Sequence, residues 1–288
     1  MNPIPYDATR KSLYHPGDAD DFFQTGFPVE NEAALCAEMS RLAYVKEETR
    51  LEQYLSRIAF QKDLAIGYNS KGTQVFIASH HDNHLTVVSY RGTEIDDPTD
   101  LFTDARFLMT PWTDNSGKPI GKVHKGFAEA LQKDDILKNV IACVNAKAQS
   151  NRILLTGHSL GAALATLTAS QMPTSSLYTI GSCRVGDAAF AEFMQAVSHI
   201  RFVDCCDLVT RIPPVAFGYI HVGDLRYISS KGQLLESPSE DEINADRLQA
   251  RAWYLTHCSF LSGTVFIRDL ADHTPINYVS GITGSRVE

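Results

Sequence analysis

No stretch of this 288-residue sequence stays apolar for the roughly eighteen residues that a membrane-spanning helix needs, so no transmembrane segment is expected. Positive charge is also short, with 26 Lys and Arg against 34 Asp and Glu and a net charge of −8. A phosphate backbone would be repelled in general, and no basic stripe in the chain offsets this, which excludes nucleic acid as a partner. The six cysteines never take the paired spacing of a zinc site and read as free thiols. Adjacent Cys205 and Cys206 would point to opposite faces if the strand before them ran that far, which argues against a disulfide between them. The opening residues, Met1 to Phe23, lack the basic segment and apolar run of a secretory leader. Together with the thiols, this favours a cytoplasmic location over export by the usual route.

What is present is a composition of 44% hydrophobic and 21% charged residues, that of a soluble globular protein, on a length that α/β folds often fill as one domain. A single domain over 1–288 is expected. Val29 to Ile58 has helical spacing at Leu35, Met39, Leu42 and Ala43 and reads as one or two outer helices. Three β-like runs, Leu64 to Tyr68, Gln74 to Ala78 and Leu85 to Tyr90, are separated by turn-forming residues and form an antiparallel meander. The pattern then changes. A helix near Lys125 to Ala148 leads into strand Ile153 to Thr156, helix Ala162 to Gln171, strand Leu177 to Gly181, helix Ala188 to Val197 and strand Ile200 to Val203. Such alternation implies an α/β class with a mostly parallel central sheet flanked by helices.

The chemistry is carried by Gly157-His158-Ser159-Leu160-Gly161, at the end of the strand Ile153 to Thr156. A nucleophile at a sharp strand-to-helix turn is held in a strained backbone, and glycines two residues to either side let strand and helix approach without a colliding Cβ. With 18 glycines in the chain, the pentapeptide alone arises by chance in roughly one chain in twelve of this composition, so its surroundings must decide. They agree: apolar Ile153, Leu154 and Leu155 precede it, and the small residues Ala162, Ala163 and Ala165 follow. A serine hydroxyl needs a histidine to take its proton, and the histidine needs a carboxylate to hold its tautomer. The order on such a fold is Ser, acid, His. Downstream acids at strand ends are Asp187, Asp204, Asp207 and Asp224, and downstream histidines are His199, His221, His257 and His273. Asp207 is the best acid, because it opens a loop past strand Ile200 to Val203 at the carboxyl edge of the sheet, with Asp204 still on the strand.

From Leu85 to Tyr278, about two thirds of the chain, the sequence resembles the class 3 (fungal-type) lipase family of the α/β-hydrolase superfamily. The resemblance is carried by Val87-Val88-Ser89-Tyr90-Arg91-Gly92-Thr93, Val123-His124-Lys125-Gly126-Phe127, and the serine pentapeptide with its trailing alanines. Gly181 to Asp187, Asp207-Leu208-Val209 with Pro213-Pro214, Tyr219 to Gly223, and Asp272-His273 followed by Tyr278 complete it in the same order. The resemblance implies Ser159 as nucleophile, Asp207 as its acid, His273 as general base, and the backbone amides of Thr93 and Leu160 as the oxyanion hole. Cys183 stands where proline is more usual, and Asp187 and Asp204 where asparagine is common. His221 and His257 are the weaker alternatives for the base, and His158 reads as a packing and hydrogen-bonding neighbour. His80, His81 and His84 read as a solvated turn rather than a metal site.

Glu94 to Gly121 is a long apolar segment between the oxyanion residue and Val123. It is expected to be a lid, with Phe102, Phe107, Leu108 and Trp112 meeting substrate; packing of these side chains into the core is the alternative. The expected function is carboxylic ester hydrolysis through a serine acyl-enzyme, as a triacylglycerol lipase working on an ester or lipid substrate at a lipid–water interface. The chemistry requires neither metal nor organic cofactor. A non-lipolytic esterase of the feruloyl esterase or phospholipase A1 type, and a catalytically silent lipase-like binding protein, are the competing readings.

Overall fold

A computed structural model describes residues 2–23, 26–67, 72–80, 82–92, 107–147 and 151–287. Among them the strands are β1 (Ile4–Pro5), β2 (Phe60–Ile66), β3 (Val75–His80), β4 (Leu85–Tyr90), β5 (Met109–Thr113), β6 (Pro119–His124), β7 (Arg152–His158), β8 (Ser176–Ile180), β9 (Ser198–Asp204), β10 (Asp224–Ile228), β11 (Leu234–Glu236) and β12 (Arg286–Val287). Eight of them form one sheet in the order β11-β10-β9-β8-β7-β4-β3-β2. The meander β2, β3 and β4 is antiparallel, and β4, β7, β8, β9 and β10 run parallel before β11 turns back. This is the α/β architecture the alternating pattern implied.

Both faces of the sheet are buried, so neighbouring side chains on one strand enter different cores. On β4, Val87 packs with Leu35, Met39, Leu42 and Tyr278, whereas Val88 packs with Val140, Ala163 and Leu167. Leu154 and Leu155 on β7 divide in the same way. Helices Glu32–Leu42 and Pro275–Ile282 cover the first face, and helices Lys125–Gln132, Ile136–Lys147 and Leu160–Ala169 the second. The helix Leu160–Ala169 is buried from Gly161 to its end. Its Thr166 and Thr168 hydroxyls donate to the carbonyls of Ala162 and Leu164, so their burial leaves no donor unmet.

The expected helix near Lys125 to Ala148 is two helices, because Asp134 and Asp135 adopt positive φ and break it. Much of the expected lid is not a free loop. β5 and β6 pair as an antiparallel ribbon that is anchored through a bridge between Val123 and Gly186. Trp112, counted with the lid from sequence, is 5% exposed in the core, and its Nε1 donates to the Ser170 hydroxyl at 2.9 Å. An indole that reaches a buried acceptor is held as a packing residue, and this corrects its placement. Glu94 to Arg106, including Phe102, lies outside the described residues. Phe107 and Leu108 are described: the Phe107 ring lies 5.0 Å from that of Phe217, and Leu108 is 53% exposed. Strand β9 ends at Asp204, so Cys205 and Cys206 lie in a turn, where their thiols share a hydrogen bond at 3.6 Å and both remain free cysteines. The strand does not reach the pair, so the condition of the opposite-face argument is not met, while the absence of a disulfide between them agrees with the expectation.

Candidate active site

Ser159 occupies the turn between β7 and the helix Leu160–Ala169 with φ 59° and ψ −126°, a conformation that costs a non-glycine residue free energy. Its neighbours explain how the turn is held. A Cβ on Gly157 would lie 2.4 Å from the carbonyl of Gly161, and one on Gly161 would lie 2.2 Å from the carbonyl oxygen of Tyr90. Only glycine lets the helix start so close to the ends of β7 and β4. The chain leaving β4 passes the same point, since a Cβ on Gly92 would lie 3.2 Å from the Ser159 Cβ. Thr93, the expected oxyanion donor that follows Gly92, lies outside the described residues. The Leu160 amide lies in the first turn of the helix, where an N–H lacks an intrahelical partner and faces outward from the positive end of the dipole.

Asp207, in the loop after β9, and His273, after the short helix Arg268–Ala271, converge on the serine. The Ser159 hydroxyl lies 2.9 Å from His273 Nε2, and His273 Nδ1 lies 2.8 Å from Asp207 Oδ2. The Tyr278 hydroxyl donates to that same oxygen at 2.5 Å, and the amide of Val209 donates to Oδ1 at 2.9 Å. With Tyr278 and the Val209 amide both donating to it, the Asp207 carboxyl is placed to accept from Nδ1–H as well, which leaves Nε2 to accept from serine. Burial, reinforced by Asp207, pushes the Tyr278 phenol well above its ordinary value and keeps it a donor. Burial, with Asp207 second, pushes the Cys183 thiol up to about 12, so it stays protonated.

His158 supports the pair from below. Its Nε2 lies 2.8 Å from the carbonyl of His273, and its Nδ1 lies 2.8 Å from the Tyr44 hydroxyl. A carbonyl only accepts, so the proton is on Nε2 and Tyr44 donates to Nδ1. Burial, then the neighbouring His273, holds the His158 imidazole well below its ordinary pKa and therefore neutral. Tyr44 and Tyr278 are the partners that sequence reasoning gave no role. Tyr278 stands five residues after His273 and was visible as a motif, whereas nothing around Tyr44 signals its position.

The alternative site residues lie elsewhere. Asp204 is fully buried and faces Arg286, with Nη1 3.0 Å from Oδ1. His221 lines a cavity with Thr210 and Arg211, and His257 stacks on Trp253 at 4.8 Å. Asp187 caps the helix Ala188–Met194 through the amide of Phe190. Among the described residues, Cys205, Cys206 and Asp272 could together hold a metal ion. Asp272 is already engaged by Tyr6, the Cys206 amide and Arg268, a set of donors that a cation would have to displace.

The sequence matches the family model for lipase (class 3) over residues 87–217. It is 33% identical over 180 residues to the secreted mono- and diacylglycerol lipase A of Penicillium cyclopium, covering 59% of this chain and 57% of that protein. It is 40% identical over 108 residues to the secreted mono- and diacylglycerol lipase 1 of Fusarium solani, covering 34% of this chain and 32% of that protein. The chain thus spans between a third and three fifths of the length of these relatives. In fold it is similar to the native Rhizomucor miehei lipase propeptide complex, with a TM-score of 0.57 at 24% identity over 69% of this chain and 68% of that one. The expectation of a cytoplasmic location is corrected here, because the relatives carry the name of secreted lipases and so point to secretion. Six thiols and an opening without a recognisable leader were too weak a basis for it.

Proposed function

We propose that the chain, whose sequence matches the family model for lipase (class 3) over residues 87–217, hydrolyses carboxylic esters of acylglycerols through a serine acyl-enzyme. The observation that carries this reading is the unbroken relay from Ser159 through His273 to Asp207, at 2.9 and 2.8 Å, on a strained strand-to-helix turn. Ser159 Oγ attacks the acyl carbonyl while His273 Nε2 takes its proton. The resulting imidazolium is steadied by Asp207, whose charge Tyr278 and the Val209 amide hold in place. The amides of Leu160 and Thr93 receive the oxyanion, and such donors contribute about 10² to 10³-fold each because the charge they meet exists only in the transition state. His273 then returns the proton to the leaving alcohol, and water repeats the sequence to release the acid. One domain over the whole chain is part of the proposal.

A lipid substrate is favoured over a small soluble ester by the apolar surface on two segments, where Leu108, Val215 and Phe217 are exposed and Phe107 packs on Phe217. Exposed apolar clusters of this kind are suited to a lipid surface. The lid proposal now rests on Phe107 and Leu108, Trp112 being in the core. Hydrolysis of mono-, di- and triacylglycerol emulsions alongside p-nitrophenyl esters of rising chain length tests the reading. A rate that rises on emulsified acylglycerol is expected, and turnover confined to short soluble esters would make the protein a non-lipolytic esterase.

A further inference from the structure

On β9 the side chains alternate, with Phe202 entering the core and its neighbours Arg201 and Val203 on the opposite face. Arg201 is 9% exposed, and its Nε is buried without a hydrogen-bond partner. A buried guanidinium is ordinarily matched by a carboxylate, because an unpaired buried charge costs several kcal/mol. Among the described residues no carboxylate pairs with Arg201; the charged group it feels most is Arg184, and burial followed by that repulsion pulls its pKa down to about 10. At neutral pH it remains a cation.

Arg201 opens into a cavity of about 310 Å³ between β9, β10, the loop after Asp207 and the helix Glu240–His257. That volume falls in the range of small-ligand sites. Arg184, Arg211, Arg247 and His221 also line it, against a single acid, Glu240. Arg184 is fixed by donating to the carbonyls of Arg211 and Pro213, and Arg247 by donating to that of Cys205. Four arginines therefore line one cavity of a chain whose net charge is −8, and Arg184 lies close enough to repel both Arg201 and Arg211. None of them belongs to the relay at Ser159.

We propose that this cavity is an anion site for a phosphate group, free or carried on a lipid headgroup, with Arg201 at its floor and Arg184, Arg211 and Arg247 around it. Phosphate fits better than carboxylate on two counts. Its charge of up to two offsets more of the converging positive charge. Its several oxygens can meet guanidinium forks from different directions, where a carboxylate is satisfied by one. The site adjoins the acid loop, because Thr210 lines it and the Thr210 hydroxyl donates to the Asp207 carbonyl at 2.8 Å.

The test is thermal unfolding of the full chain in inorganic phosphate against chloride at matched ionic strength. A bound phosphate should raise Tm by about 2 to 4 °C. Arg201→Met should abolish that rise while unfolding at a higher temperature than wild type in chloride, since it removes an unpaired buried charge. Arg211→Gln, at an exposed position, should weaken phosphate binding about tenfold by calorimetry without altering the fold, and Glu240→Gln should tighten it. Phosphatidylcholine vesicles with and without phosphatidic acid separate the sources. Retention that needs phosphatidic acid, is competed by free phosphate and is lost in Arg201→Met assigns a headgroup, and a phosphate effect in solution without retention assigns the free anion. No effect of phosphate or of phosphatidic acid on wild type, or a phosphate effect that survives Arg201→Met, would overturn the proposal.

Discussion

Replacing Asp204 by Asn separates the carboxylate that holds the fold from the one that serves the chemistry. Asp204 is fully buried and paired with the equally buried Arg286, beside a second pair, Arg268 with Asp272. Two acids thus balance two guanidinium groups, and Asn leaves one positive charge uncompensated in the interior. Breaking a buried pair in this way costs about 3 to 5 kcal/mol. At about 2 to 4 °C per kcal/mol for a protein of this size, Tm should fall by roughly 6 to 20 °C. Turnover per folded molecule should change little, because Asp204 touches the site only through its backbone: its carbonyl accepts from the Asp207 amide at 2.8 Å and its amide donates to Tyr278 at 3.0 Å. Asp207→Asn should show the opposite split, with turnover down about 10⁴-fold through the wrong imidazole tautomer and a smaller loss of Tm. Calorimetry together with turnover normalised to titrated active sites measures both. Adding Arg286→Met to Asp204→Asn should recover part of the lost stability, since it removes the orphaned charge. An unchanged Tm in Asp204→Asn, or a turnover loss of a thousandfold, would refute this division of roles.

Tyr278→Phe removes a hydroxyl that donates to Asp207 and accepts from the Asp204 amide, so a stability loss of about 1.5 to 3 kcal/mol is expected, with a drop in turnover and an unchanged KM. A KM effect alone would mean that Tyr278 contacts substrate. Acid should destabilise the protein. His158, His199 and His221 are held below their ordinary pKa chiefly by burial, His199 at about 3, so the stability they contribute is present above pH 6.5 and is lost as the pH falls below it. Together the three imidazoles should lower stability between pH 6.5 and 5, because the unfolded chain takes up protons there that the folded chain does not. Denaturant unfolding at the two pH values measures it, and a flat profile would contradict buried neutral imidazoles. Trp112→Ala should cost about 3 to 5 kcal/mol without changing substrate preference, whereas Phe107→Ser with Leu108→Ser should lower hydrolysis of emulsified long-chain acylglycerol much more than that of a soluble short-chain ester. Equal losses on both substrates would remove these two residues from any lipid-facing role.

The parallel half of the sheet was readable because each strand is a short apolar run and each helix between them has its own period. The serine turn was readable because glycine spacing reports a backbone constraint. Other parts carry weaker signals. β5 contains Pro111 and β6 begins at Pro119, so the ribbon that holds Trp112 reads as loop. The helix Glu240–His257 buries only Ala250 and Tyr254, and with so little of it facing a core it has no apolar stripe to find. The break at Asp134 and Asp135 lacks glycine or proline. Tyr44 and Arg201 come to their positions only through tertiary packing, and a local pattern cannot report which buried polar group lacks a partner.

The central claim is that Ser159 is a nucleophile activated by His273, and covalent labelling by an active-site organophosphonate tests it most directly. Mass spectrometry should find one phosphonyl group per chain, on the peptide that contains Ser159, with hydrolysis lost in proportion. Ser159→Ala should fold with an unchanged Tm, take no label and lose about 10⁵ to 10⁶-fold in activity, and His273→Ala should label far more slowly. Labelling at another residue, or hydrolysis that persists in Ser159→Ala, would contradict the account.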